Sequence, residues 1–226
     1  MEFITTVLRF FQNGGPFMYP IALVLVVGVA VALERWLYLT HAKSANRKAF
    51  QQLMPLLKKR DYAGVMKLGQ TSNAPIARII SAGVARMSQS QRRDDIELAM
   101  EEGVMEAMPR LEKRTPYLAT LANIATLLGL LGTIIGLIAA FTAVADADPA
   151  EKANLLSASI SVAMNTTAFG LMSAIPLLLF HATLQTKTTE IIDSLEMAGV
   201  KCLNLMGVGT AARAPAKPGA DSAPKA

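Results

Sequence analysis

The chain has 226 residues, is 52% hydrophobic, carries a formal net charge of +5 and contains one cysteine. Its mean hydropathy of +0.37 is high for a soluble protein, and the apolar residues sit in blocks, so one membrane domain with a modest soluble portion fits better than two globular domains. The lone Cys202 excludes an intrachain disulfide framework, and the basic balance is no sign of nucleic-acid affinity, because membrane proteins retain Lys and Arg on cytoplasmic loops.

No charged residue occurs between Arg9 and Glu34, between Arg114 and Asp146, or between Lys152 and Lys187. Each gap exceeds the roughly 20 residues a helix needs to cross a ~30 Å hydrocarbon core. Backbone inside lipid must satisfy its own hydrogen bonds, so these are helices. The expected fold class is all-α: a polytopic membrane protein with three transmembrane helices, the second and third extended into a cytoplasmic helical portion.

In chain order, residues 1–15 form an N-terminal outer-interface segment, with residues 3–11 either a short interfacial helix or an extension of the first span. One basic residue, Arg9, and a long apolar run argue against a cleavable signal. Gly14-Gly15-Pro16 breaks the chain before the first span, 16–39, whose inner end carries Trp36 and Tyr38. Residues 40–114 read as cytoplasmic helices. Phe50, Leu53, Met54 and Leu57 recur at helical spacing, Asp61 is placed to cap a helix over Tyr62–Gln70, and Pro75 to start the next. A further helix is expected from near Arg92 or Asp94, with Pro109 and Pro116 kinking it without ending it. Its charge runs fit solvated helix faces. The second span is placed at 115–145, a periplasmic link at 146–154 and the third span at 155–186. A cytoplasmic helix then covers 187–208, and a disordered Ala/Pro/Gly/Lys tail 209–226. Lys and Arg crowd the stretch 40–114, whereas the short link holds Lys152 against Asp146, Asp148 and Glu151. The positive-inside bias therefore puts the large loop and C-terminus in the cytoplasm and the N-terminus outside.

The second and third spans repeat one design. Thr126, Gly129, Thr133, Gly136 and Ala140 recur at alternating spacings of three and four, a strip of small residues on one face. In the third span Ala163, Thr167, Gly170 and Ala174 share a face, with Asn165, Thr166 and Ser173 near it. Small residues let membrane helices approach closely, so plain packing, including Gly132-xxx-Gly136, accounts for either strip alone. A lone membrane Thr bonds its own i−4 carbonyl. Two matching strips also suit a narrow pore or a seat for another helix. They contain no Asp, Glu, His, Lys or Arg, and a Thr hydroxyl does not titrate in the useful range. If protons move here, another chain supplies the carboxylate. Within this chain Glu34 and His181 are the candidates; both sit near cytoplasmic span ends, where snorkelling or pairing, for example Glu34 with Arg35, is the commoner explanation.

Several runs resemble the MotA/TolQ/ExbB proton-channel family, most closely its ExbB and TolQ branch. They are Gly-Gly-Pro-Phe-Met-Tyr-Pro before the first span, Glu34-Arg35 at its end, and Leu118-Ala119-Thr120-Leu121-Ala122 leading to Leu128-Gly129-Leu130-Leu131-Gly132-Thr133. The last is Thr166-Thr167-Ala168-Phe169-Gly170-Leu171 with Ala174-Ile175-Pro176. Three spans rather than four separate the chain from the flagellar MotA type. The resemblance implies a homopentamer in the bacterial inner membrane whose second and third spans line a pore. That pore would hold a smaller ExbD/TolR-like single-span partner bearing the Asp absent here, with coupling to a periplasmic effector of TonB or TolA type. It maps the family's channel threonines onto Thr133 and Thr167, with Thr166, Asn165, Thr126 and Ala163 beside them. Gly129, Gly132, Gly136, Gly170 and Ala174 fall to helix packing. Two departures stand out. Many ExbB and TolQ chains carry Glu after Ile-Ser in the third span, where Ile160-Ser161 is followed by Val162. Many carry Pro before Leu-Leu-Gly-Leu-Leu-Gly-Thr, where this chain has Ala125-Thr126.

The expected function is a proton-channel and stator subunit driven by the proton-motive force. A non-conducting helix-bundle scaffold is the alternative. A membrane enzyme finds little support, since no metal-spaced His or Cys cluster, nucleotide loop or nucleophile–base pair occurs. No cofactor and no metal are expected.

Overall fold

The computed structural model describes residues 11, 14–145 and 147–206. Among them are six helices and no strand: α1 (Met18–Lys58), α2 (Tyr62–Thr71), α3 (Pro75–Met87), α4 (Arg93–Glu112), α5 (Thr115–Ala145) and α6 (Lys152–Met206). Three helical stretches are long and apolar enough to cross a bilayer: α1, the stretch ending at Ala145, and α6. The chain is an all-α membrane protein with three transmembrane helices. The expected interfacial segment, apart from Phe11, Gly14 and Gly15, and the expected tail from 209 lie outside the described residues, as does Asp146.

Two helices run on past the ends expected for their spans. α1 continues unbroken for 41 residues, and α6 for 55 with Pro176 inside it. α1 ends where Arg60 turns left-handed (φ 57). There the Asp61 N–H donates to Leu56 O at 2.9 Å and the Arg60 N–H to Leu57 O at 3.0 Å, the paired bonds of a Schellman stop. Asp61 then caps α2, its Oδ1 accepting from the Gly64 N–H at 2.9 Å. Pro75 opens α3. One expectation is corrected: the chain breaks before Pro116 instead of merely kinking. α4 stops at Glu112, Arg114 adopts φ 67, and α5 starts at Thr115. A proline lacks the N–H an uninterrupted helix would need and disfavours helical backbone in the residue before it. Pro109, by contrast, sits inside α4 without ending it.

The chain divides into two compact units. One comprises the chain up to Lys43 together with Met108–Ile191. Its buried residues include Ile21, Ala32 and Leu39 of α1, Leu118, Ala122, Ala125, Gly129 and Gly132 of α5, and Ala163, Ala174, Leu177 and Leu184 of α6. Leu23, Val26, Leu33, Ile138, Phe141 and Leu179 point outward. The small buried residues of α5 and α6, with many large aliphatics turned outward, suit helices that face lipid and gain stability from close packing.

The other unit comprises Ser44–Ala107 and the chain from Ile192. It follows the rules of a water-soluble bundle. Leu53 and Leu57 of α1, Val65 of α2, Ile76, Ile79 and Ile80 of α3, Ile96 and Met100 of α4, and Leu195 and Leu203 of α6 are buried. The first N–H groups of α3 lack intrahelical acceptors. Asn46 of α1 serves one, its Oδ1 accepting from the Ile76 N–H at 3.3 Å.

Candidate channel face and helix contacts

The small-residue strips of α5 and α6 meet. A methyl built on Gly170 would stand 2.7 Å from the Ala125 carbonyl oxygen and 3.0 Å from Gly129 Cα. One on Gly129 would stand 3.3 Å from both Gly170 Cα and Thr167 Cα. A methyl on Gly136 would lie 2.9 Å from Ala163 Cβ, and one on Gly132 would collide with the Thr166 side chain. Ala174 is buried in the same unit. Backbone thus lies against backbone, which only residues without bulk permit.

The hydroxyls divide by how far they reach. Thr167 Oγ1 donates across the helix pair to Gly129 O at 2.9 Å. Thr166 is 2% exposed and its Oγ1 lies 2.6 Å from Gly14 O and 2.9 Å from Val162 O, so its single proton serves one of two acceptors. It ties α6 to the Gly14-Gly15-Pro16 break, where Gly15 takes φ +73. Thr126 and Thr133 bond their own helix, to Ala122 O at 3.1 Å and Leu130 O at 2.6 Å. Thr133 and Asn165 are half-buried and Thr126 is exposed. Ser173 is fully buried and its Oγ has no hydrogen-bond partner among the described residues. Thr166 and Thr167 therefore sit within the α5–α6 contact, while Thr126 and Thr133 remain open beside it.

Beside Thr166 lies a cavity of ≈ 230 Å³. The Gly14–Phe17 stretch borders it, with Gly132, Ile135, Gly136 and Ala139 of α5 and Ser159 and Val162 of α6. Val162 thus lines a largely apolar space.

At the end of this unit where α1 leaves its apolar stretch, the structure replaces the expected Glu34–Arg35 pair. Glu34 pairs with Arg114 at 3.4 Å, both half exposed. Arg35 is 2% exposed, donates through Nη2 to Leu111 O, with Arg110 O at 3.5 Å, and lies 4.7 Å from the Tyr38 ring centroid. Successive helix residues do not face each other, so a neighbouring carboxylate is poorly placed to serve it. The negative end of the α4 dipole, at its last carbonyls, takes that role. Thr188 Oγ1 also approaches Leu111 O at 3.5 Å, and Lys187 Nζ lies 3.1 Å from the Trp36 ring centroid. Lys43 bonds Glu190 at 2.8 Å and holds its carboxyl below the ordinary value. Arg114, Leu111 and Thr188 carry no local motif that announces these long-range roles. His181 is half-buried on α6. In the other unit Cys202 is fully buried, and desolvation pushes its thiol up to about 12.

Among the described residues no cluster of three or more His, Cys, Asp or Glu could hold a metal. What the α5–α6 face offers is hydroxyls, carbonyls and space, which order water and position a guest's charge without carrying charge themselves. These features define a helical membrane protein whose two long spans meet along small residues and backbone-bonded hydroxyls.

The profile of the MotA/TolQ/ExbB proton channel family matches residues 71–197. The chain is 31% identical over 203 residues to a biopolymer transport protein ExbB homolog of Methanothermobacter thermautotrophicus, covering 87% of this chain and 69% of that one. It is 27% identical over 168 residues to an ExbB-like biopolymer transport protein of Synechocystis, covering 74% and 79% of the two chains. To the Tol-Pal system protein TolQ of Pseudomonas aeruginosa it is 26% identical over 189 residues, covering 76% and 81%. The chain belongs to the MotA/TolQ/ExbB proton channel family, on its ExbB and TolQ branch. It is a multi-pass membrane protein of a transport and channel family, with that family's role in energy transduction.

Proposed function

We propose that this chain is the proton-channel and stator subunit of an inner-membrane complex that uses the proton-motive force for transport or envelope work. It assembles as a homo-oligomer, a pentamer, around an ExbD/TolR-like single-span partner and acts on a periplasmic effector of TonB or TolA type. The N-terminus and the 146–154 link face the periplasm, and the C-terminus faces the cytoplasm. Thr133 and Thr167, with Thr126, Asn165, Thr166 and Ala163, line the route. Gly129, Gly132, Gly136, Gly170 and Ala174 hold α5 to α6.

One observation carries this reading. Two long membrane helices present hydroxyls at depth and carry no Asp, Glu, Lys or Arg through their uncharged stretches. Such a face solvates a titrating carboxylate but cannot itself exchange protons, so the acid arrives on the partner. Each elementary charge crossing ~100 mV releases ~2.3 kcal/mol, and a few protons suffice for a mechanical step.

A scaffold without conduction has its own support, since Thr126, Thr133 and Thr167 each donate to a backbone carbonyl, as packing alone would have them do. Proton flux into vesicles separates the two. Vesicles with this chain and its co-purifying single-span partner should conduct, and a partner Asp→Asn change should stop them. Flux no greater than in protein-free vesicles would leave the scaffold.

A further inference from the structure

The water-soluble unit carries two exposed helix faces of opposite charge, and neither is neutralised by ion pairs among the described residues. On α4 the buried positions are Ile96, Ala99, Met100 and Val104. Directly opposite, at ~100° per residue, lie Leu98, Glu101, Glu102 and Met105, all exposed. From Asp94 to Glu106 there is no basic residue. On α1 the buried positions are Asn46, Ala49, Leu53 and Leu57, and the exposed half presents Arg47, Lys48, Gln51 and Lys58. From Arg35 to Arg60 there is no acidic residue. Among the described residues, Arg47, Lys48, Lys58, Glu101 and Glu102 form no ion pair.

A purely solvated face accounts for the glutamates but not for what separates them. Leu98 and Met105, two turns apart on the same stripe, are 52% and 65% exposed. An apolar pair flanked by acids is the composition of a contact surface, with the apolar groups supplying the buried area and the charges the choice of partner. The matching basic face is on the same chain. A foreign partner would need only one of the two; a head-to-tail contact between copies uses both, and a head-to-tail contact is the kind that closes into a ring.

We infer that the α4 face of one copy, Leu98–Glu101–Glu102–Met105, docks on the α1 face of the next, Arg47–Lys48–Lys58, in the soluble unit. This deepens the homo-oligomer reading above and rests on it. The unit thereby acquires an interface independent of the glycine contacts between α5 and α6.

The test uses the full chain in native membranes, in a Cys202→Ala background. Two differently tagged copies are co-expressed, one with Leu98→Cys and the other with Gln51→Cys. Oxidation is expected to yield a disulfide between the two tags. Reversing Glu101→Lys and Glu102→Lys lowers that yield by roughly tenfold, the product of a few exposed pairs. Adding Arg47→Glu and Lys48→Glu to both copies restores it. Unchanged yield after the first reversal, or no recovery after the second, overturns the contact. An oligomer without the mixed disulfide overturns the contact and leaves assembly standing, whereas a wild-type monomer overturns both. If Arg47→Glu with Lys48→Glu abolishes binding to anionic-lipid vesicles and no disulfide forms, the α1 face belongs to the membrane and the inference fails. Apart from the buried Cys202, which every copy carries as Ala, all altered residues are exposed, and unchanged far-UV helicity verifies that the variants fold.

Discussion

Gly129 and Gly170 face each other across α5 and α6, yet they should not tolerate a methyl equally. In Gly170→Ala the new carbon meets the Ala125 carbonyl oxygen at 2.7 Å and Gly129 Cα at 3.0 Å. Both are backbone atoms, so relief requires the helices to part. Overpacking of this kind costs about 1–3 kcal/mol. Parting also stretches the Thr167 Oγ1–Gly129 O bond, 2.9 Å long and one turn away; interhelical bonds in membranes contribute ~0.6–1.7 kcal/mol. Alanine's better helix propensity returns about 1 kcal/mol. The net is a destabilisation of about 1–3 kcal/mol. In Gly129→Ala the nearest atoms stand at 3.3 Å, 3.3 Å and 3.4 Å. A shift of a few tenths of an ångström relieves that, and the propensity gain offsets most of the cost. Unfolding in mixed detergent–SDS micelles, followed by far-UV circular dichroism, reports both variants. Gly170→Ala should unfold at clearly lower SDS than Gly129→Ala, which should stay near wild type. Equal midpoints, or the reverse order, would refute the claim that backbone contact at Gly170 sets this helix spacing.

Thr133→Val and Thr167→Val keep shape and remove a hydroxyl; both should assemble yet lose most partner-dependent proton flux in vesicles, with Thr→Ser milder, and normal flux in assembled Val variants would assign these hydroxyls to packing alone. Cys202 should resist maleimide at pH 8 in the folded protein and react on unfolding, as rapid labelling of the native chain would disprove. Because burial raises the folded thiol from 9.0 to about 12, its stabilising contribution is whole below pH 9 and falls away as pH climbs towards 12, since the unfolded thiol ionises first. With Cys202→Ala and a new cysteine at Ala147, an impermeant reagent should label intact cells once the outer barrier is breached, and labelling only after inner-membrane permeabilisation would reverse the proposed orientation.

Local chemistry was the most legible layer. Asp61 before Tyr62 and Pro75 after a polar turn act within one helical turn of themselves, and both open helices. Charge exclusion exposed the three membrane segments because lipid penalises every buried charge. The continuation of α1 past its span was harder to see. Nothing in residues 40–54 breaks α1, since Thr40–Met54 contains neither Gly nor Pro, but an apolar run advertises only where lipid ends. The glycine strips were visible as spacing; that Thr167 reaches across while Thr133 bonds back is decided by helix rotation, which spacing leaves free. The partners of Glu34 and Arg35 depended on contacts 75 or more residues away, beyond the reach of any local pattern.

The buried guanidinium of Arg35 also imposes an order on biogenesis. Its acceptor, the Leu111 carbonyl, is made 76 residues later. When the first span leaves the insertion machinery, no α4 terminus exists to receive the cation, so the side chain must snorkel towards water. Only after the ribosome has delivered α4 can the guanidinium sink to its final depth. The first span is therefore threaded early and seated late, and the interval is set by translation of the intervening helices.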